Sequence, residues 1–108
     1  LFVAVSLIAC SSDEFPYGTY TRQDATVEYR DDGTLTYMFG DEIVTEGTFS
    51  IEGDEITWIQ DTLCDEEYAG TATYRWQYED GVLSFELIGE DLCEGRRDAH
   101  SVNWFGPK

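Results

Sequence analysis

Tyr74-Arg-Trp-Gln-Tyr-Glu-Asp-Gly-Val-Leu-Ser-Phe-Glu-Leu-Ile88 sets two apolar alternations on either side of one Asp-Gly pair. Tyr74, Trp76 and Tyr78 share one face of the first run, and Leu83, Phe85 and Leu87 share one face of the second. Asp-Gly between alternating runs is the strongest short hairpin signal, because a type I′ turn needs φ > 0 at both central residues. The stretch therefore reads as a hairpin of two half-buried strands.

The same period of two runs outward in both directions. Strands are expected at 18–22, 26–30, 34–39, 42–51, 55–60, 70–79, 82–88 and 101–105. Only residues 94–99 suggest a short helical turn. Asp31-Asp32-Gly33, Glu52-Gly53-Asp54 and Glu79-Asp80-Gly81 mark tight turns. Eight short strands joined mostly by hairpins describe an all-β, up-and-down antiparallel meander that closes into a barrel. In such a barrel the three tight turns fall at one end. The Gly40-Asp41 turn and two long loops, 61–69 and 89–100, fall at the other, with Cys64 in the first loop and Cys93 in the second.

The expected inward set is Tyr20, Val27, Tyr29, Leu35, Tyr37, Phe39, Ile43, Phe49, Ile51, Ile56, Trp58, Tyr74, Trp76, Tyr78, Leu83, Phe85, Leu87, Val102 and Trp104. Glu28, Arg30, Thr36, Glu46, Thr48, Thr57, Arg75, Ser84 and Glu86 alternate with them and face water. A one-residue slip would bury this whole polar set, so the register is well specified. Aromatic residues number 16 of 108. Tyr29, Tyr37, Trp58, Tyr74, Trp76, Tyr78, Phe85 and Trp104 are the candidate lining of a pocket for a small apolar or amphipathic ligand. The same rings could instead fill an eight-stranded interior, which is just wide enough for side chains or one small ligand.

The chain opens on Leu1-Phe-Val-Ala-Val-Ser-Leu-Ile-Ala-Cys10, followed at once by Ser11, Ser12, Asp13 and Glu14. The apolar run is too short to span a bilayer, which takes about 20 residues. It fits the apolar core of a signal peptide that begins upstream of the sequence given. Leu7-Ile8-Ala9-Cys10 resembles the lipobox of bacterial lipoproteins. The resemblance implies cleavage before Cys10, a lipid on its thiol, and an exported protein held at a membrane of the bacterial cell envelope. Ser11 after the cysteine resembles outer-membrane sorting where the cell has such a membrane. On this reading residues 1–9 are signal, 10–17 a lipidated tether, and 18–108 the barrel domain. Four residues between Cys10 and Phe15 reach less than about 20 Å at about 3.5 Å per residue.

The charge is extreme: 23 acidic against 6 basic residues, a formal net charge of −17. Such a surface repels nucleic acid and anionic headgroups, and favours cations or basic proteins. The lipid accounts for Cys10 of the three cysteines. Cys64 and Cys93 are left free to pair in an exported compartment. That bond is worth about 3 kcal/mol in the chain-entropy model. Two cysteines without a Cys-x-x-Cys motif make no zinc site. Asp41, Glu42, Asp61, Asp65, Glu66, Glu67, Glu90, Asp91 and Glu94 gather on the long-loop rim. They could hold Ca²⁺, although no EF-hand spacing occurs; a solvated acidic rim is the simpler expectation. His100 is the only histidine, expected on the rim near Arg96 and Arg97, and Ser101 beside it points to the opposite face of a strand. No catalytic residues, resident metal or cofactor are expected.

Pro16-Tyr-Gly18-Thr-Tyr20 resembles the Gly-x-Trp start of lipocalins and related calycin barrels, with Tyr20 in place of the tryptophan. Gly47-Thr-Phe49, Gly53-Asp-Glu-Ile56, Cys64, Tyr74-Arg-Trp76, Gly81-Val-Leu83, Cys93-Glu-Gly-Arg96 and Trp104 resemble the second half of small exported lipocalin-like lipoproteins of bacteria. The resemblance implies a monomeric, non-catalytic binding or structural module. It also implies a basic residue, Arg96 or Arg97, closing over the first-strand aromatic. Small exported eight-stranded barrels also serve as inhibitors of proteases or lysozyme, so the acidic rim is an alternative binding surface for an envelope protein.

Overall fold

The computed structural model describes residues 14–62, 64 and 70–107. The expected signal, the lipidation site at Cys10 and the acidic residues 65–67 lie outside them. Eight strands follow in chain order: β1 (Gly18–Arg22), β2 (Ala25–Tyr29), β3 (Thr34–Phe39), β4 (Glu42–Glu52), β5 (Glu55–Asp61), β6 (Ala72–Glu79), β7 (Val82–Ile88) and β8 (Trp104–Phe105). Each pairs antiparallel with its neighbour, and β8 returns to β1, so the sheet closes into an up-and-down barrel. Among the described residues one short helix, α1 (Glu94–Ala99), precedes β8. The expected fold class and the helical turn are thus both present.

The opening hairpin pairs as its alternation requires, Trp76 opposite Phe85 and Tyr78 opposite Leu83. Asp80 and Gly81 turn it with φ of 54° and 80°, the left-handed pair that a type I′ turn demands. Gly18 has a different reason to be glycine. Its φ is 143°, and a Cβ there would lie 2.6 Å from Pro107 Cβ. The C-terminal segment closes directly over the start of β1.

Two strands run shorter than their alternation suggests. β8 begins at Trp104 rather than 101, because Ser101 N–H and Oγ both donate to the Asp98 carbonyl and extend the end of α1. β6 begins at Ala72 rather than 70, because the Gly70 carbonyl accepts from Arg96.

The inward set is largely as expected, with three corrections. Ile43 is exposed and Thr45 takes the buried place. A bulge puts Tyr37 opposite Thr45 but Met38 opposite Ile43, so Val44 has no partner. One extra residue flips the parity of everything beyond it. Phe39 keeps inward parity but is 58% exposed, since it lies at the last position of β3, past the rim. Tyr78 is exposed at the opposite end, where its hydroxyl donates to the Gly106 carbonyl at 2.7 Å. A second bulge opposes Thr48 to Gln60 and Phe49 to Trp58, and leaves Ile59 outside.

Candidate functional site

The interior is built of rings that touch one another. At the short-turn end Phe15 enters from the chain preceding β1. Its ring lies 5.3 Å from both Tyr29 and Trp76 and 6.1 Å from Phe49. Tyr29 also meets Phe49 and Trp58 edge to face. Trp76 Nε1 donates to the Gly53 carbonyl in the turn below. Near the other end Tyr37 meets Trp104 at 5.9 Å, and Tyr74 meets Phe85 at 6.3 Å. Of the candidate pocket residues, Tyr29, Trp58, Tyr74, Trp76 and Trp104 are buried. Tyr37 and Phe85 are partly buried against them, and Tyr78, exposed at the short-turn rim, meets the Tyr20 ring edge to face at 6.3 Å. Edge-to-face contacts at 4.5–7 Å are the preferred aromatic geometry, so these rings satisfy one another.

A polar plug closes the long-loop end. Asp91 and Arg96, expected on the solvated rim, are buried. The guanidinium engages the carboxylate through Nε at 2.9 Å to Oδ2 and through its terminal nitrogen at 2.8 Å to Oδ1. Tyr74 hydroxyl and the Cys93 backbone N–H donate to the same carboxylate. Burial pushes the Asp91 carboxyl up. The hydrogen bonds from Arg96, Tyr74 and Cys93 outweigh that and hold it below the usual carboxylate range. Burial first, and then its bond to Asp91, pushes the Tyr74 phenol well above its ordinary value. Arg96 therefore does not close over the first-strand aromatic. Tyr20 hydroxyl donates instead to the Pro16 carbonyl.

His100 is likewise no rim residue, being only 4% exposed. α1 ends at Ala99, and its cap swings the imidazole inward among Tyr74 at 4.2 Å, Phe85 at 4.5 Å and Trp58 at 4.7 Å. Nδ1 lies 2.7 Å from the Arg96 carbonyl, which can only accept, so Nδ1 carries the proton. Nε2 and Trp58 Nε1 have no hydrogen-bond partner among the described residues. Burial pushes the His100 pKa down to about 4, against smaller upward pulls from the Arg96 carbonyl and Asp91. The imidazole is thus neutral at pH 7.

Cys64 and Cys93 form the expected disulfide, with Cα atoms 5.6 Å apart. It joins the β5–β6 loop to the residue that leads into α1 and fixes the helix on the barrel mouth. Phe39, Ile43 and Val44 at the β3–β4 tip and Leu92 before α1 are exposed. Asp41, Glu42, Glu90 and Glu94 stand among them. A groove of about 250 Å³ runs between α1 and the ends of β1–β2 and β3, walled by Ala25, Tyr37, Phe39, Ala99 and Val102. A larger groove of about 640 Å³ follows the outer face of β6 and β7. It is polar, and its Arg75 is already paired to Asp54 at 3.3 Å and Glu86 at 3.0 Å. Among the described residues no three His, Cys, Asp or Glu side chains converge as a metal site.

Sequence reasoning did not foresee the stopper Phe15, the buried Thr45 or the Asp91–Arg96–His100 plug. Phe15 had a signal: it is a lone large apolar residue between Glu14 and Pro16. The plug had another in Asp91-x-Cys93, the spacing at which a carboxylate caps a backbone N–H two residues on. No protein-family model, curated protein or solved structure matches the chain. The barrel is compatible with a lipocalin-like fold.

Proposed function

We propose that this chain is an exported, monomeric, non-catalytic recognition module, anchored to an envelope membrane through a lipid on Cys10, whose long-loop end binds a cationic protein. One observation carries the reading: the interior is occupied by its own rings. Phe15 stops it at one end, and the Asp91–Arg96–His100 plug closes the other. Recognition then falls to the surface. The long-loop end combines exposed apolar side chains with carboxylates on a chain of formal net charge −17.

The tether supports the same orientation. Phe15 is seated at the short-turn end, so four residues from Cys10 would hold that end towards the lipid. The long-loop rim would face away, open to a partner. Electrostatic steering speeds encounter with a basic protein and is screened by salt.

Lysozyme, a small basic protein, is a suitable probe, titrated beside a hydrophobic fluorescent dye. Lysozyme affinity is expected to fall at least about tenfold between about 50 and about 300 mM salt. The dye is expected to show no saturable, displaceable binding. Absent or salt-insensitive lysozyme binding would sink the protein-recognition reading. Saturable dye uptake would return the function to a small apolar ligand.

A further inference from the structure

We propose that the groove between α1 and the ends of β1–β2 and β3 receives one basic side chain, lysine or arginine, from the partner protein. The proposal rests on the recognition reading above and says where that recognition is anchored. At about 250 Å³ the groove is smaller than the roughly 300–1,000 Å³ of small-molecule sites. It has the capacity of a single long side chain.

The lining suits such a side chain along its whole length. Ala25, Ala99 and Val102, with the Tyr37 ring, form an apolar wall for an aliphatic stem. Phe39, also on the lining and 58% exposed, adds an aromatic ring of the kind on which a cation can stack. Asp24 and Asp98 place two carboxylates on the lining, and neither has an ion-pair or hydrogen-bond partner for its side chain among the described residues. Arg22 also lines the groove and keeps its charge while its guanidinium donates to the Asn103 carbonyl at 3.4 Å, so the two carboxylates, Asp24 and Asp98, outweigh one cation there. An apolar wall with carboxylates on the same lining is what a lysine or arginine needs to bury its stem and keep its charge matched. A neutral apolar side chain would leave both carboxylates unused, and an acidic one would be repelled. Anchor residues that fill a pocket within a polar rim carry most of the energy of many protein interfaces.

The test uses the full chain and two small probes, N-acetyl-lysine methylamide and its uncharged analogue N-acetyl-norleucine methylamide, followed by NMR. The lysine probe is expected to give saturable shifts confined to the amides of Ala25, Phe39, Ala99 and Val102. The norleucine probe should bind at least about fivefold more weakly, and the D24N/D98N variant should lose a similar factor for lysine. These two substitutions are on the surface and leave the barrel contacts intact. Shifts elsewhere, no saturation, or equal binding of norleucine would overturn the proposal. Lysozyme titrated into the same samples separates the two readings. Lysozyme binding without lysine-probe binding fails the groove alone. A lysine probe held in the groove without lysozyme binding fails the protein-recognition reading and leaves the groove standing.

Discussion

Arg96 and Asp91 form an ion pair with almost no solvent contact, 2.8 Å apart. A buried pair of this kind adds little net stability, but breaking it by removing one partner is costly, because the remaining charge has no water. Arg96→Met is therefore expected to destabilise the barrel by about 3–5 kcal/mol in chemical denaturation. Replacing both residues, R96M with D91N, removes both charges but keeps an acceptor oxygen for Tyr74 or Cys93, and should recover part of that loss. Equal losses for the single and double variants would mean that the pair's charge is not what matters.

His100 adds a pH dependence whose sign is fixed. Its pKa is about 4 in the fold and about 6.5 unfolded, so the unfolded chain binds the proton more readily between those values. Stability is full above about pH 6.5 and falls as pH drops towards 4, by about 3 kcal/mol in all. Asp91, held below the usual carboxylate range, adds loss of the same sign at lower pH. Between pH 7 and 4.5 the native chain should lose about 2 kcal/mol more than H100F. Parallel pH profiles for the two would contradict a buried neutral imidazole. The comparison also cancels the relief of charge repulsion as exposed carboxylates protonate.

Among the elements, α1 depends most on something outside itself. It has six residues, and Cys93 at its N-cap provides no side-chain bond. An isolated helix of this length does not persist in water. The Cys64–Cys93 bond and the Arg96 side chain hold it on the barrel. Reduction should cost about 3 kcal/mol of global stability, with amide exchange at 89–103 raised well beyond the rise that this loss gives the strands. Uniform loosening of the barrel on reduction would show that the disulfide does not act locally. This division also explains how much could be read from the sequence. The strands were legible because alternation and Asp-Gly turns are local signals. The Val44 and Ile59 bulges were not, since a bulge is set by two strands pairing and leaves each strand's own pattern plausible. The inward turn of His100 was hidden for a related reason: it follows from a helix end, where strand parity no longer applies.

For the whole molecule, the sequence left open whether sixteen aromatic residues fill a barrel or wall a cup. The outcome turns on Phe15 and on the plug, both contributed by segments outside the strands. On the reading proposed above, recognition falls to the long-loop rim, where exposed Phe39, Ile43 and Leu92 lie beside carboxylates. The short-turn end is acidic as well, through Asp31, Asp32, Glu52, Asp54 and Asp80, so net charge alone does not choose between the ends. Exposed apolar side chains occur at both ends, with Tyr17, Tyr78 and Phe105 at the short-turn end, but Phe39 and Ile43, exposed by 58% and 57%, stand out furthest and lie at the long-loop end. Amide hydrogen exchange of the full chain with and without lysozyme, at low salt, distinguishes the ends most directly. The expected result is protection confined to 38–44 and 90–102, which fades as salt is raised. Protection at the short-turn end, spread evenly along the strands, or absent altogether would contradict recognition through the long-loop rim.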